Sequence, residues 1–76
     1  PNPANDKTAV SIASNNDEAA QIRVIDNTGR VVSQRFINIV KGKNNFELNI
    51  SNLSTGLYYV EVNGKTINQK LKFVKQ

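Results

Sequence analysis

Apolar residues recur in this chain at every second position, in runs too short for helices. Tyr58, Val60 and Val62 alternate with Tyr59 and Glu61, and Phe46, Leu48 and Ile50 alternate with Glu47 and Asn49. Val10 and Ile12 flank Ser11, and Ile22 and Val24 flank Arg23. A period of two puts one set of side chains on each face of a pleated strand, so these runs are half-buried strands. Gly, Asn, Asp and Ser separate them at intervals of about 8–12 residues, the spacing of an all-β sandwich.

In order, the pattern predicts a short strand over residues 7–13, a polar loop over 14–18 and a second strand over 21–26. The one helical feature expected is a turn near 17–20. Asp26-Asn27-Thr28-Gly29 is a turn, because Asp and Asn bond their own backbone and Gly takes the left-handed position. Residues 30–40 are extended but slip phase: Val32 and Phe36 share one face, Ile37 and Ile39 the other. A bulge or a break into two short strands explains the slip. Residues 41–44 turn the chain into a strand over 45–50, and 51–56 form a corner. There Leu53, Gly56 and Tyr58 make an L-x-x-G-x-Y pattern. In Greek-key sandwiches a tyrosine at such a corner bonds its hydroxyl to nearby upstream backbone. Asn63-Gly64 supplies the two positive-φ residues of a type I′ hairpin. The returning strand, 66–74, sets Ile67, Leu71 and Phe73 against Tyr58, Val60 and Val62. The total is six or seven strands.

A chain of 76 residues makes one domain. It buries only about 60–65% of its unfolded surface, which implies modest stability and a thin core. Pro1 is not a natural start and nothing near it resembles a signal peptide, so we expect an excised or processed piece of something longer. The longest apolar patch, 36–40, is interrupted by Asn38, too short to span a membrane. There is no Cys and no His. That removes thiol nucleophiles, disulfides, zinc-finger spacing and imidazole bases together.

Net charge is +4, and the whole excess lies near the end: Lys65, Lys70, Lys72 and Lys75 have no acid among them. Lysines on a solvated strand face block edge-to-edge pairing, and this reading is preferred to a tail for an anionic surface. The carboxylates Asp17, Glu18 and Asp26 lie in predicted loops with no pocket-forming sequence around them, so solvation is expected rather than catalysis. Tyr59 and Glu61 share an outward face, where cross-strand packing is the usual role. Gly29, Gly42, Gly56 and Gly64 stand singly, so no loop cradles a phosphate. Five aromatics are too few to supply both a core and a base-stacking platform, which argues against nucleic acid. No cofactor is expected.

Four pieces in order resemble the C-terminal sorting domain, type A, of proteins exported by the type IX secretion system of Bacteroidetes. They are Pro1-Asn2-Pro3-Ala4, the IRVIDNTGRVV of residues 22–32 with its D-x-x-G, the LSTGLYYVEV of residues 53–62, and the basic alternating QKLKFVK of residues 69–75. The resemblance covers the chain end to end. It implies an immunoglobulin-like antiparallel β-sandwich that catalyses nothing and acts as an address on an N-terminally fused cargo. It further implies passage through the periplasm, reading of the folded domain by the outer-membrane translocon, and display at the cell surface or release. Removal by a sortase-like cysteine peptidase often follows. The residues this assigns to translocon recognition are Pro1, Asn2, Pro3, Asp26, Gly29, Gly56, Tyr58, Lys70, Leu71, Lys72, Phe73, Val74 and Lys75.

A terminal strand ending at 71–75 presents an alternating edge, open to recognition by strand addition. Edge strands also offer a route to a weak homodimer. The competing reading is a fibronectin-like accessory module, a carbohydrate-binding or adhesive spacer of a secreted enzyme. Such a module needs two or three coplanar outward aromatics, and the alternation puts only Tyr59 outward.

Overall fold

The computed structural model describes residues 6–76, so the expectations placed on Pro1, Asn2 and Pro3 lie outside the described residues. Among the described residues six strands follow one another: β1 Lys7–Ser14, β2 Glu18–Asp26, β3 Val31–Ile39, β4 Gly42–Asn49, β5 Gly56–Gly64 and β6 Asn68–Lys75. They form an immunoglobulin-like antiparallel sandwich. One sheet has the order β3-β2-β5-β6, and β1 and β4 make a two-stranded sheet. Each alternating run keeps its phase: β1 buries Thr8, Val10 and Ile12, β2 buries Ala20, Ile22 and Val24, and β5 buries Tyr58, Val60 and Val62. Apart from the polar Thr8, these side chains form one core with Ile37, Ile39, Leu48, Ile50, Ile67 and Phe73.

The phase slip in β3 is a bulge. Val24 pairs with Ser33, but Ile25 pairs with Val31, which leaves Val32 as the extra residue. The bulge lets even-numbered Val32 pack on the core beside odd-numbered Ile37 and Ile39. Phe36 is left on the outside, 81% exposed.

Three expectations are corrected. Asp17 to Ala20 hold no helical turn: β2 already begins at Glu18. Residues 41–44 are not all turn, since β4 starts at Gly42 and Asn44 is buried opposite Ile12. Its side chain binds the turn from inside, accepting from the Val40 amide and donating to the Ile12, Val40 and Gly42 carbonyls. The β5–β6 turn is not a type I′ turn at Asn63-Gly64. Among the described residues no non-glycine residue has positive φ, and Gly64 is absent from the positive-φ glycines. β5 runs on through Gly64, and its amide donates to the Ile67 carbonyl at 2.8 Å, so the turn centres on Lys65 and Thr66.

Gly64 is needed for room. A Cβ there would collide with Glu18 Oε1 and lie 3.1 Å from the Ala19 carbonyl oxygen. Glu18 is not a solvated loop residue: it accepts from the Thr66 amide at 2.9 Å and from the Thr66 hydroxyl. Asp17 likewise accepts from the Lys41 amide at 2.7 Å. The two carboxylates therefore tie the β1–β2, β3–β4 and β5–β6 connections together at one end of the sandwich.

Candidate functional site at the motif end of the sandwich

The opposite end gathers the sequence motifs. Asp26, the last residue of β2, folds the β2–β3 turn around its carboxylate. Oδ1 accepts from the Thr28 hydroxyl at 2.6 Å and from the Thr28 and Arg30 amides at 3.0 Å each, and Oδ2 meets Arg30 Nε at 3.2 Å. Gly29 completes the turn with φ of 91° and donates to the Asp26 carbonyl. The Thr28 hydroxyl is the main cause that holds the Asp26 carboxyl below its ordinary range, with the Arg30 amide next.

The second motif lies alongside. The Tyr58 hydroxyl donates to the Ser54 carbonyl at 2.6 Å, which is the tyrosine corner the L-x-x-G-x-Y spacing predicts. Gly56, at φ of 153°, lets the corner enter β5 through backbone that side-chain-bearing residues avoid. Between the two motifs runs an open cleft of about 470 Å³, walled by Asp26, Asn27 and Arg30 on one side and Asn52 to Tyr58 on the other.

Strand pairing brings the third motif to the same place. Asp26 pairs with Tyr58, and Tyr58 with Phe73, so the three stand in one row across β2, β5 and β6. The Tyr58 and Phe73 rings stack at 5.4 Å between centroids. Leu57 pairs with Val74 and Gly56 with Lys75, which closes the row at the end of the chain. Of the expected recognition residues, Asp26, Gly29, Gly56, Tyr58, Phe73, Val74 and Lys75 converge here. Tyr58, Phe73 and Lys75 are buried within this end of the sandwich.

Lys70, Leu71 and Lys72 lie further along β6. Lys70 and Lys72 pair with Glu61 and Tyr59 on the outward face. Lys70 Nζ sits 5.4 Å from the Tyr59 ring centre, a cation–π contact, and Glu61 meets Arg23 at 3.4 Å. Leu71 faces inward opposite Val60, as expected, yet it is 43% exposed because the two-stranded sheet stops short of it.

Sequence reasoning missed Phe36 as a second outward aromatic. Its opposite number on β2 is Gln21, while Tyr59 lies beside Ile25. Two strands and four residues separate them, roughly 15–17 Å at ordinary sheet spacings, too far for one stacking platform. Among the described residues no group of His, Cys, Asp and Glu could hold a metal ion, and no helix is long and apolar enough to cross a membrane.

Fold and site define a small immunoglobulin-like sandwich whose sequence motifs are structural parts of one end. The family model for the secretion system C-terminal sorting domain matches residues 1–76, and the chain belongs to that family. Its members are sorting signals of the type IX system rather than enzymes, which implies contact with secretion machinery and export to the surface or medium. No curated protein and no solved structure matches the chain.

Proposed function

We propose that this chain is a type A sorting domain of a Bacteroidetes protein, a single module at the C-terminal end of a larger secreted cargo. The cargo crosses the periplasm with the sandwich folded. Outer-membrane translocon components read the domain, and a sortase-like cysteine peptidase then removes it. The family match across the full chain carries this reading. The convergence of the D-x-x-G, L-x-x-G-x-Y and terminal-strand motifs at one end supports it, because a folded surface can be read where scattered residues cannot. Among the residues expected to contact the translocon, Lys70 and Lys72 project from the outward face of β6, whereas Tyr58 and Phe73 act by shaping the end.

Fusing residues 1–76 behind a periplasmic fluorescent protein in a Bacteroidetes host tests this directly. The fused cargo should reach the surface or medium while the cargo alone stays in the periplasm. Retention of a folded fusion would reject the sorting reading and favour the fibronectin-like module, for which a glycan array is the next assay.

A further inference from the structure

β3 is an outer strand of the four-stranded sheet, and its backbone phase is set at the β2–β3 turn. The Asp26 amide donates to the Arg30 carbonyl at 2.9 Å, so the backbone groups of Asp26 point to the β3 side. In an antiparallel ladder that direction alternates along the strand. Val24, Ile22 and Ala20 therefore point to β3 as well, and their partners Ser33, Arg35 and Ile37 point back to β2. The amides and carbonyls of Gln34, Phe36 and Asn38 point the other way, and among the described residues no strand pairs with that edge.

The side chains along this edge are complementary to themselves. Gln34, Phe36 and Asn38 are all exposed and uncharged, and all lie on the outward face. The inward Arg35 leaves that face clear, because its Nη1 reaches the Glu47 carbonyl at 3.5 Å. The other outer strands carry lysine, Lys7 on β1, Lys43 on β4 and Lys70 on β6, which hinders edge pairing. β3 has nine residues, and setting aside Val31 and the bulged Val32 leaves residues 33–39. Phe36, 81% exposed, is the midpoint of that stretch. A strand that pairs antiparallel with its own copy uses its whole length only when the symmetry axis passes through its midpoint.

We propose that the β3 edge pairs with the β3 edge of a second copy of this chain, about a two-fold axis through Phe36. This goes beyond the sorting reading and does not depend on it. The axis sets Phe36 beside Phe36 of the second copy on the outward face, where the two rings pack together. Gln34 falls opposite Asn38 of the second copy on either side. Gln34 Oε1 accepts from Gln21 Nε2 at 3.4 Å, which leaves its Nε2 to donate to the Asn38 carboxamide of the second copy. Arg35 falls opposite Ile37, never opposite another Arg35. The two four-stranded sheets become one continuous sheet. An isologous contact requires a surface that complements itself, and the neutral edge centred on Phe36 meets that requirement. So short an edge makes a small interface, so the pair is transient, and in dilute solution Phe36 is solvated.

The test follows residues 1–76 over rising concentration by sedimentation velocity and amide hydrogen exchange. It compares the parent with Phe36→Glu, with Gln34→Lys plus Asn38→Lys, and with Gln34→Lys plus Asn38→Glu. All three sites are exposed, and thermal unfolding of dilute samples verifies that each variant folds. The parent should dimerise as concentration rises, with exchange slowing at the Gln34, Phe36 and Asn38 amides. Phe36→Glu opposes two carboxylates at the axis, and the double lysine variant opposes lysine to lysine twice, so each should weaken the dimer at least tenfold. The lysine–glutamate variant opposes unlike charges in the same register, and should pair at least as tightly as the parent and loosen in high salt. A parent that stays monomeric up to about 1 mM would overturn the proposal. A dimer that treats the two double variants alike, or that protects the amides of a different edge, would overturn it as well.

Discussion

The Tyr58 hydroxyl lies 2.6 Å from the carbonyl oxygen of Ser54, four residues upstream, and its ring stacks on Phe73. One side chain thereby fixes the corner before β5 and joins β5 to β6. Tyr58→Phe keeps the ring and loses the hydrogen bond, so we expect a loss of about 1 kcal/mol in chemical denaturation. Tyr58→Ala removes the stack as well and should cost about 3–5 kcal/mol, enough to unfold most of so small a domain. Equal unfolding midpoints for the parent and Tyr58→Phe would show that the corner hydrogen bond is not stabilising.

Glu18 and Asp26 make the domain acid-sensitive. The Thr66 hydroxyl, followed by the Thr66 amide, lowers the Glu18 carboxyl below its ordinary 4.5, and the Thr28 hydroxyl lowers Asp26 below 3.8. A carboxylate with a lowered folded pKa stabilises fully above its unfolded value and loses that contribution as pH falls through the folded one. Thermal midpoints should therefore hold steady from neutral pH to about pH 5 and then decline. Glu18→Gln and Asp26→Asn should each lower the neutral-pH midpoint and flatten the acid limb. Curves parallel to the parent's would contradict the assignment.

Gly64→Ala sets a methyl group against Glu18 Oε1 and close to the Ala19 carbonyl. We expect a loss of about 1–3 kcal/mol, typical of overpacking. Because the clash displaces the Glu18 clamp, the cost of Gly64→Ala should shrink in a Glu18→Gln background. Strict additivity in that double-mutant cycle would show that the two residues act independently.

Ile22, in the middle of β2 and 1% exposed, is the reference for the core. Ile22→Ala should cost about 2–5 kcal/mol. Phe36→Ser, on the solvated face of β3, should change stability by less than about 0.5 kcal/mol. A comparable loss for both would mean that Phe36 is covered in solution.

The core was legible because it rests on period-two alternation, which survives in β1, β2 and β5 residue by residue. Even the bulge was readable, since Val32 and Ile37 cannot share a face without one. The turns were less legible. Asn63-Gly64 and the Gly42- and Asn44-containing stretch 41–44 carry turn-forming residues, but tertiary partners overrode local preference: Glu18 reaches the amide of Thr66, and Asn44 turns inward to satisfy three carbonyls. Those partners lie up to 48 residues away in sequence, where no local pattern reports them. The motif residues were identifiable individually. Their assembly into one row, Asp26–Tyr58–Phe73, depends on strand order, which alternation does not encode.

The most direct measurement of the central claim is translocon dependence. Cargo carrying residues 1–76 would be expressed in two otherwise identical hosts, one with a working type IX translocon and one without, and the surface and released fluorescence compared with that retained in the periplasm. The sorting account predicts export in the first host and periplasmic retention of a folded fusion in the second. Equal distribution in the two hosts would contradict it.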